Sequence, residues 1–221
     1  MNKVAVVGCG YWGKNLVRVF AELKALTAVC DVNVEYAKKM AETYQVSALS
    51  FEQILQDQCI EGVVIAAPAA QHALLAEKAL KADKHVFVEK PLALHINQAW
   101  QLCGLAEQAN KVLMVGHLLQ YHPAFLELNR LICEGELGKL QYIYSNRLNL
   151  GKFRQEENIL WSFAPHDISM ILRLAGELPE KVYATGSYHL NPKIADITNT
   201  HLAFRSGLNA HIFVSWLHPY K

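Results

Sequence analysis

No apolar run in this sequence approaches the ~18–20 residues that a membrane-spanning helix needs, so an integral membrane protein is not expected. Neither sign of charge dominates: 21 Lys and Arg stand against 20 Asp and Glu, with no basic or acidic block. A balance of that kind supplies no electrostatic footprint for nucleic acid or for an anionic membrane surface. Cysteine is scarce and odd in number, at positions 9, 30, 59, 103 and 133, which is too scattered for a disulfide framework or a zinc site. Most of these thiols lie within apolar segments, as expected of reduced, buried cysteines in the cytoplasm. The first strand candidate begins by Lys3, leaving no room for a signal peptide, and the expected localisation is cytoplasmic. The histidines lack H-x-x-x-H and H-E-x-x-H spacing, and no metal site is expected. Repeats and low-complexity stretches are also missing. What remains is an ordinary globular composition, 52% hydrophobic and 19% charged, long enough for one large domain or two modest ones.

The most informative segment is at the start. Val4-Ala5-Val6-Val7 runs into Gly8-Cys9-Gly10-Tyr11-Trp12-Gly13, a G-x-G-x-x-G turn, and then into an amphipathic helical pattern through Leu23. Gly8 allows the tight strand-to-helix turn, Gly10 lets backbone approach a pyrophosphate, and Gly13 lets the helix pack close to the strand. The pyrophosphate would rest on the helix N-terminus, where free N–H groups and the dipole favour an anion. Asp31 ends the next apolar run, near the ~20-residue offset expected of a carboxylate that binds ribose hydroxyls. Such a carboxylate selects NAD over NADP by repelling the 2′-phosphate. Asp31 could instead cap the helix beginning near Val34, and Lys38 and Lys39 lie close enough to keep NADP in view.

Strand candidates at 4–8, 26–31, 46–49, 62–67, 85–89 and 112–117 alternate with helical patterns at 13–23, 34–44, 51–57, 71–82 and 96–110. Near-continuous apolar strands suit a parallel sheet buried on both faces. The expectation is an α/β fold, a Rossmann-type doubly wound parallel sheet over residues 1–120, with ligands at the C-terminal strand ends. After about residue 120 the rhythm changes. A helix at 123–134, an alternating run at 140–150, a polar loop at 151–158, a helix centred on 165–174 and strands at 182–190, 198–204 and 208–217 follow. Residues 121–221 are therefore expected to form an α+β domain with an open, mostly antiparallel sheet. The last strand has nothing after it, and an exposed edge is expected there.

Three places could carry chemistry. Lys90 follows an apolar strand and precedes Pro91, which presents its ammonium from a rigid element at the crevice, for proton transfer or alkoxide stabilisation. A solvated strand-end lysine is the plain alternative. His166 follows Pro165, which suits a first helical turn, so His166 and Asp167 are expected at a helix N-terminus. There the dipole would keep the imidazole neutral and available as a base, with Asp167 orienting it or only adding first-turn charge. Arg147, Lys152 and Arg154 gather cations ahead of that helix, suited to carboxylate or phosphate groups or simply to solvent.

Taken together, the glycine turn, Ala66-Ala67-Pro68 with His72, Glu89-Lys90-Pro91 and a histidine on a second-domain helix resemble the Gfo/Idh/MocA oxidoreductases over the whole chain. The stretches Gly10–Asn15 and Trp161–Ser169 resemble most a bacterial branch acting on nucleotide sugars, including UDP-N-acetyl-2-amino-2-deoxyglucuronate 3-dehydrogenases of surface-polysaccharide synthesis. The resemblance implies that Lys90 and His166 are catalytic. It places Gly8, Gly10, Tyr11, Trp12, Gly13, Asp31, Ala67, Pro68, His72, Glu89 and Lys90 along the cofactor, which would be NAD. Lys90, His117, Arg147, Arg154, Asn158 and His166 would meet a small-molecule sugar or nucleotide-sugar substrate. It further implies a homodimer or homotetramer formed through the second-domain sheet. Ser162 replaces the Asp that many relatives carry four residues before the histidine, and Leu118-Leu119 replaces their Asn-Arg; both point to a specialised pocket. Family members are about half as long again, so the chain reads as truncated. The rival expectation is a truncated, catalytically weak dinucleotide- or sugar-nucleotide-binding protein.

Overall fold

A computed structural model of the chain describes residues 3–150, 153–154 and 157–219. It divides into two compact units, Met1–Gly116 and His117–Lys221. The first unit runs β1 (Val4–Val7), α1 (Gly13–Glu22), β2 (Leu26–Cys30), α2 (Val34–Tyr44), β3 (Ser47–Ala48), α3 (Phe51–Gln56), β4 (Gly62–Ile65), α4 (Ala69–Lys81), β5 (His85–Val88), α5 (Ile96–Gln108) and β6 (Leu113–Val115). Its strands form one parallel sheet in the order β3-β2-β1-β4-β5-β6. The order reverses between β1 and β4, which opens a crevice at their C-terminal ends.

Strand periodicity explains why both faces of this sheet are covered. Ala5 and Val7 pack with Ile65, Val88, Ile54, Leu80 and Leu102, whereas Val6 points the other way, to Val17, Val29 and Ala41. The helices start where their caps dictate. Asn33 accepts from the Glu35 and Tyr36 amides at the head of α2, and Ser50 with Gln53 forms a reciprocal capping box at α3.

The second unit opens with a 3-10 turn at Leu118–Tyr121, followed by α6 (Pro123–Cys133), β7 (Tyr142–Leu148), α7 (Ile159–Ala175), β8 (Lys181–Ser187), β9 (Ile197–Ala203) and β10 (Asn209–Ser215). Its sheet is ordered β7-β10-β9-β8; β10 is parallel to β7 and antiparallel to β9, and β9 is antiparallel to β8. Ala210, Ile212 and Val214 of β10 form a core with Ile159, Ala164 and Ile171 of α7. The opposite face carries Tyr142, Tyr144 and Tyr183, each more than half exposed, and Tyr144 stacks on His211 at 5.6 Å.

Three expectations are corrected. The final strand is not an edge: β10 lies between β7 and β9 with Ala210, Ile212, Val214 and Ser215 buried, and the outer strands are β7 and β8. The helix carrying His166 begins at Ile159, six residues before Pro165, because Asn158 caps it by accepting from the Trp161 amide. Pro165 therefore sits inside α7, and neither His166 nor Asp167 is at its N-terminus. Only Cys9 and Cys30 of the five thiols are buried; Cys59 and Cys133 are exposed. Among the described residues, no helix is long and apolar enough to cross a membrane.

Candidate functional site

The first-unit site is built by backbone. Gly8 has φ +95°, and a Cβ there would lie 2.7 Å from the Ala66 backbone, so β1 can turn beside the exit of β4 only with glycine. A Cβ on Gly13 would fall on the Gly8 carbonyl oxygen. At Gly10 the reverse holds, since an added Cβ would meet nothing within 4 Å and the turn faces open space. No side chain caps α1, unlike α2 and α3; its Lys14 and Asn15 amides donate to the Gly10 and Trp12 carbonyls at 3.2 and 2.9 Å. Tyr11 is 87% exposed on this turn, with the Lys14 ammonium 5.4 Å from its ring centre.

Asp31 follows β2 and accepts from the Cys9 amide at 2.6 Å and the Asn33 amide at 2.8 Å. It is not the cap of α2, a role taken by Asn33. Its carboxylate is thus fixed beside the glycine turn, where a ribose would be held. The open glycine turn at the head of an uncapped helix and this carboxylate fit a dinucleotide. Burial first, then the Asp31 charge, push the Cys9 thiol up to about 12 and the Cys30 thiol up to about 11. Both are inert packing groups beneath the turn.

At the neighbouring exits, His72 is buried and aims Nδ1 at the Pro91 carbonyl and Nε2 at the Ala67 carbonyl, each at 2.7 Å. Sequence reasoning placed His72 along the cofactor. With both ring nitrogens facing backbone carbonyls, it instead clasps the segment after β4, Ala67 with the exposed Pro68, to the segment after β5. Lys90, half-buried, stands between Glu89 and the clasped Pro91. Glu89 accepts from the Trp12 indole N–H at 2.7 Å, which ties the glycine turn to the end of β5. Burial pushes the Glu89 carboxyl above the usual carboxylate range, against the lowering effects of Trp12, Lys90 and His72. A Cβ at Gly116 would sit 2.9 Å from Glu89 Oε1. Sequence reasoning missed Gly116, although a glycine ending the apolar run at 112–116 was its signal.

In the second unit, His117 and His166 come together edge to face, their ring centres 5.9 Å apart. Asp167 does not serve His166. It is buried and accepts from Ser145 Oγ at 2.7 Å and from Arg147 Nε and Nη2 at 2.7 and 3.1 Å. Arg147, expected to meet substrate, thus spends two donors on α7. Arg154 pairs with Glu157 at 2.8 Å, and the Asn158 side-chain oxygen is occupied as a helix cap. Lys152 lies outside the described residues.

An all-parallel sheet with a glycine-built first turn and a carboxylate closing the second strand is a Rossmann dinucleotide-binding unit. Residues 2–117 match the GFO_IDH_MocA family, described as "Oxidoreductase family, NAD-binding Rossmann fold", and residues 125–221 match the "GFO/IDH/MocA C-terminal domain". The chain belongs to this family. It is 28% identical over 215 residues to UDP-N-acetylglucosamine 3-dehydrogenase of Acidithiobacillus ferrooxidans, covering 96% of this chain and 66% of that protein. A crystal form of that enzyme superposes with a TM-score of 0.90 at 27% identity, covering 99% of this chain and 70% of the other. Inositol 2-dehydrogenase of Salmonella typhimurium is 26% identical over 232 residues, covering 99% of this chain and 69% of that protein. GenD2 from gentamicin A biosynthesis, solved with NAD, shares the fold with a TM-score of 0.93 at 23% identity, covering 100% of this chain and 68% of the other. The chain spans 66% of the length of the first of these curated relatives, and 51–59% of three others.

Proposed function

We propose that the protein is an NAD-dependent oxidoreductase that moves a hydride between nicotinamide and a sugar hydroxyl or ketone. The substrate position is C3 of a nucleotide-linked sugar, a UDP-sugar acid of surface-polysaccharide synthesis. The observation that carries this reading is the Asp31 carboxylate pinned beside the open Gly10 turn, which suits a ribose and pyrophosphate without a 2′-phosphate. The similarity to a UDP-N-acetylglucosamine 3-dehydrogenase supports the sugar-nucleotide class, with the inositols, acted on by relatives at 26–30% identity, as its rival. The cofactor supplies a hydride acceptor at its nicotinamide ring. His166 removes the hydroxyl proton as the carbon loses hydride, and His117, packed against it, helps define the ring's orientation. Lys90, on the first unit, is a hydrogen-bond donor suited to stabilising developing alkoxide charge.

The test is to incubate the full chain with NAD+ and a panel of UDP-hexosamines, UDP-sugar acids and inositols, following NADH absorbance. Reduction with the UDP-sugars alone is expected. Turnover of inositol alone overturns the substrate class, and ligand-induced shifts with no NADH identify a binding protein. We further propose self-association through the open face of the second sheet, with Tyr142, Tyr144 and Tyr183 at its centre. Light scattering at micromolar concentration checks it: a dimer or tetramer is expected, dispersed by Tyr144→Asp, and a stable monomer overturns it.

A further inference from the structure

We propose that Glu89 is a counter-charge for the oxidised nicotinamide ring, held in place by Trp12 and Gly116, and that it biases the crevice toward NAD+ over NADH. The inference rests on the dinucleotide reading above. The direction of the ligand follows from strand order. Asp31 ends β2 and Glu89 follows β5, with β1 and β4 between them. Three interstrand steps separate those two exits, about 14 Å at the usual spacing. A dinucleotide with one ribose on Asp31 and its pyrophosphate on the Gly8–Gly13 turn extends its other half toward β4 and β5. That half carries the nicotinamide, whose ring is cationic when oxidised and neutral when reduced.

Glu89 is placed to sense that difference. It is half-buried, so solvent screens its charge less than at an exposed site. The Trp12 indole donates to Oε1 at 2.7 Å, and the Gly116 backbone lies close enough that a Cβ would crowd all three carboxyl atoms at 2.9–3.1 Å. A carboxylate held from two sides needs no reorganisation when the ring changes charge, which makes its field differential between the two redox states. The Lys90 ammonium faces it and offsets its field equally for both nucleotides, which leaves the difference in place. The link also couples the pyrophosphate turn to the residue preceding Lys90. Trp12 therefore acts as a positioning residue.

The experiment is a pair of binding titrations, NAD+ and NADH, on the full chain and on Glu89→Gln, Trp12→Phe and Gly116→Ala. Glu89→Gln keeps size and an acceptor for Trp12 but removes the charge. It is expected to weaken NAD+ about tenfold, equivalent to about 1.4 kcal/mol, while NADH changes less than twofold. Gly116→Ala, which displaces the carboxylate without neutralising it, should shift the ratio in the same direction by less. Trp12→Phe, which removes the indole donor to the carboxylate, should likewise shift the ratio in that direction by less than Glu89→Gln. Thermal unfolding of each variant confirms that it folds. An unchanged NAD+ to NADH ratio in Glu89→Gln and Gly116→Ala overturns the counter-charge while leaving the dinucleotide reading intact. Wild-type protein that binds neither nucleotide overturns that reading, and this inference with it.

Discussion

Arg147 of β7 presents Nε and Nη2 to the two carboxylate oxygens of Asp167 in α7, at 2.7 and 3.1 Å, in a fork that fastens helix to sheet within the second unit. The Asp167 side chain is 3% exposed and that of Arg147 32%. Removing the cation strands a buried carboxylate whose remaining donor among the described residues is Ser145 Oγ. Arg147→Met is therefore expected to cost roughly 2–4 kcal/mol, below the ~3–5 kcal/mol of a fully buried pair because Arg147 is partly solvated. Urea unfolding measures it. Unaltered stability with a raised KM would return Arg147 to the substrate.

Asp31 is the second point of test. Its carboxylate already holds two backbone amides and faces no adjacent arginine, since Val32 and Asn33 follow it. NADH should bind more tightly than NADPH, and Asp31→Ala should narrow the gap by relieving repulsion with the 2′-phosphate. Titration of both nucleotides decides it. Tighter NADPH binding by the wild type would reverse the assignment.

For the proton chemistry, Lys90→Ala and His166→Asn should each lower turnover by roughly two to four orders of magnitude, the usual worth of a positioned acid or base. NADH affinity should change little in His166→Asn, whose residue belongs to the second unit. Full activity in His166→Asn would move the base elsewhere. His117, whose ring meets that of His166, is the first place to look.

Acid stability has a sign that Asp196 sets. Burial alone would raise its carboxyl, but the His189 side chain and the His189 and Leu190 amides, at 2.7–2.9 Å, outweigh that and hold it below the usual carboxylate range. A depressed folded-state pKa contributes stability fully present above the ordinary value of 3.8, and lost as pH falls through the lower folded value. Asp196→Asn should therefore destabilise the protein near neutrality and flatten the loss of stability below about pH 4. Unfolding midpoints recorded from neutral to strongly acidic pH check it; parallel curves for variant and wild type would exclude Asp196 as a contributor.

The course of α7 shows where local signals compete. Pro165 in the sequence suggests a first turn, because proline fits there and its missing N–H costs nothing. Asn158 before Ile159-Leu160 is an equally local cap signal, and the structure follows it. A proline inside a helix costs about 3 kcal/mol in isolation. Burial of Ile159, Ala164 and Ile171 against β9 and β10 offsets that cost, and no window around Pro165 contains the information. The dipole argument for His166 goes with the displaced N-terminus.

Short-range pattern alone determined the parallel sheet, the glycine turn, the place of Asp31 and the exit position of Lys90. Each depends on a spacing of 2, 3.6 or about 20 residues along one chain segment. The tertiary structure decided everything that needs a distant partner. Trp12 finds Glu89 from 77 positions away, His72 clasps Pro91, and Asp167 turns to Arg147 rather than to His166. Strand order belongs to the same class. Tyr142 and Asn209 stand opposite each other in register, so the last described strand becomes the interior of its sheet rather than its edge. Side-chain pairing and strand neighbours are chosen by packing among segments that are remote in sequence, where burial of apolar faces and of charges with their partners outweighs any local preference.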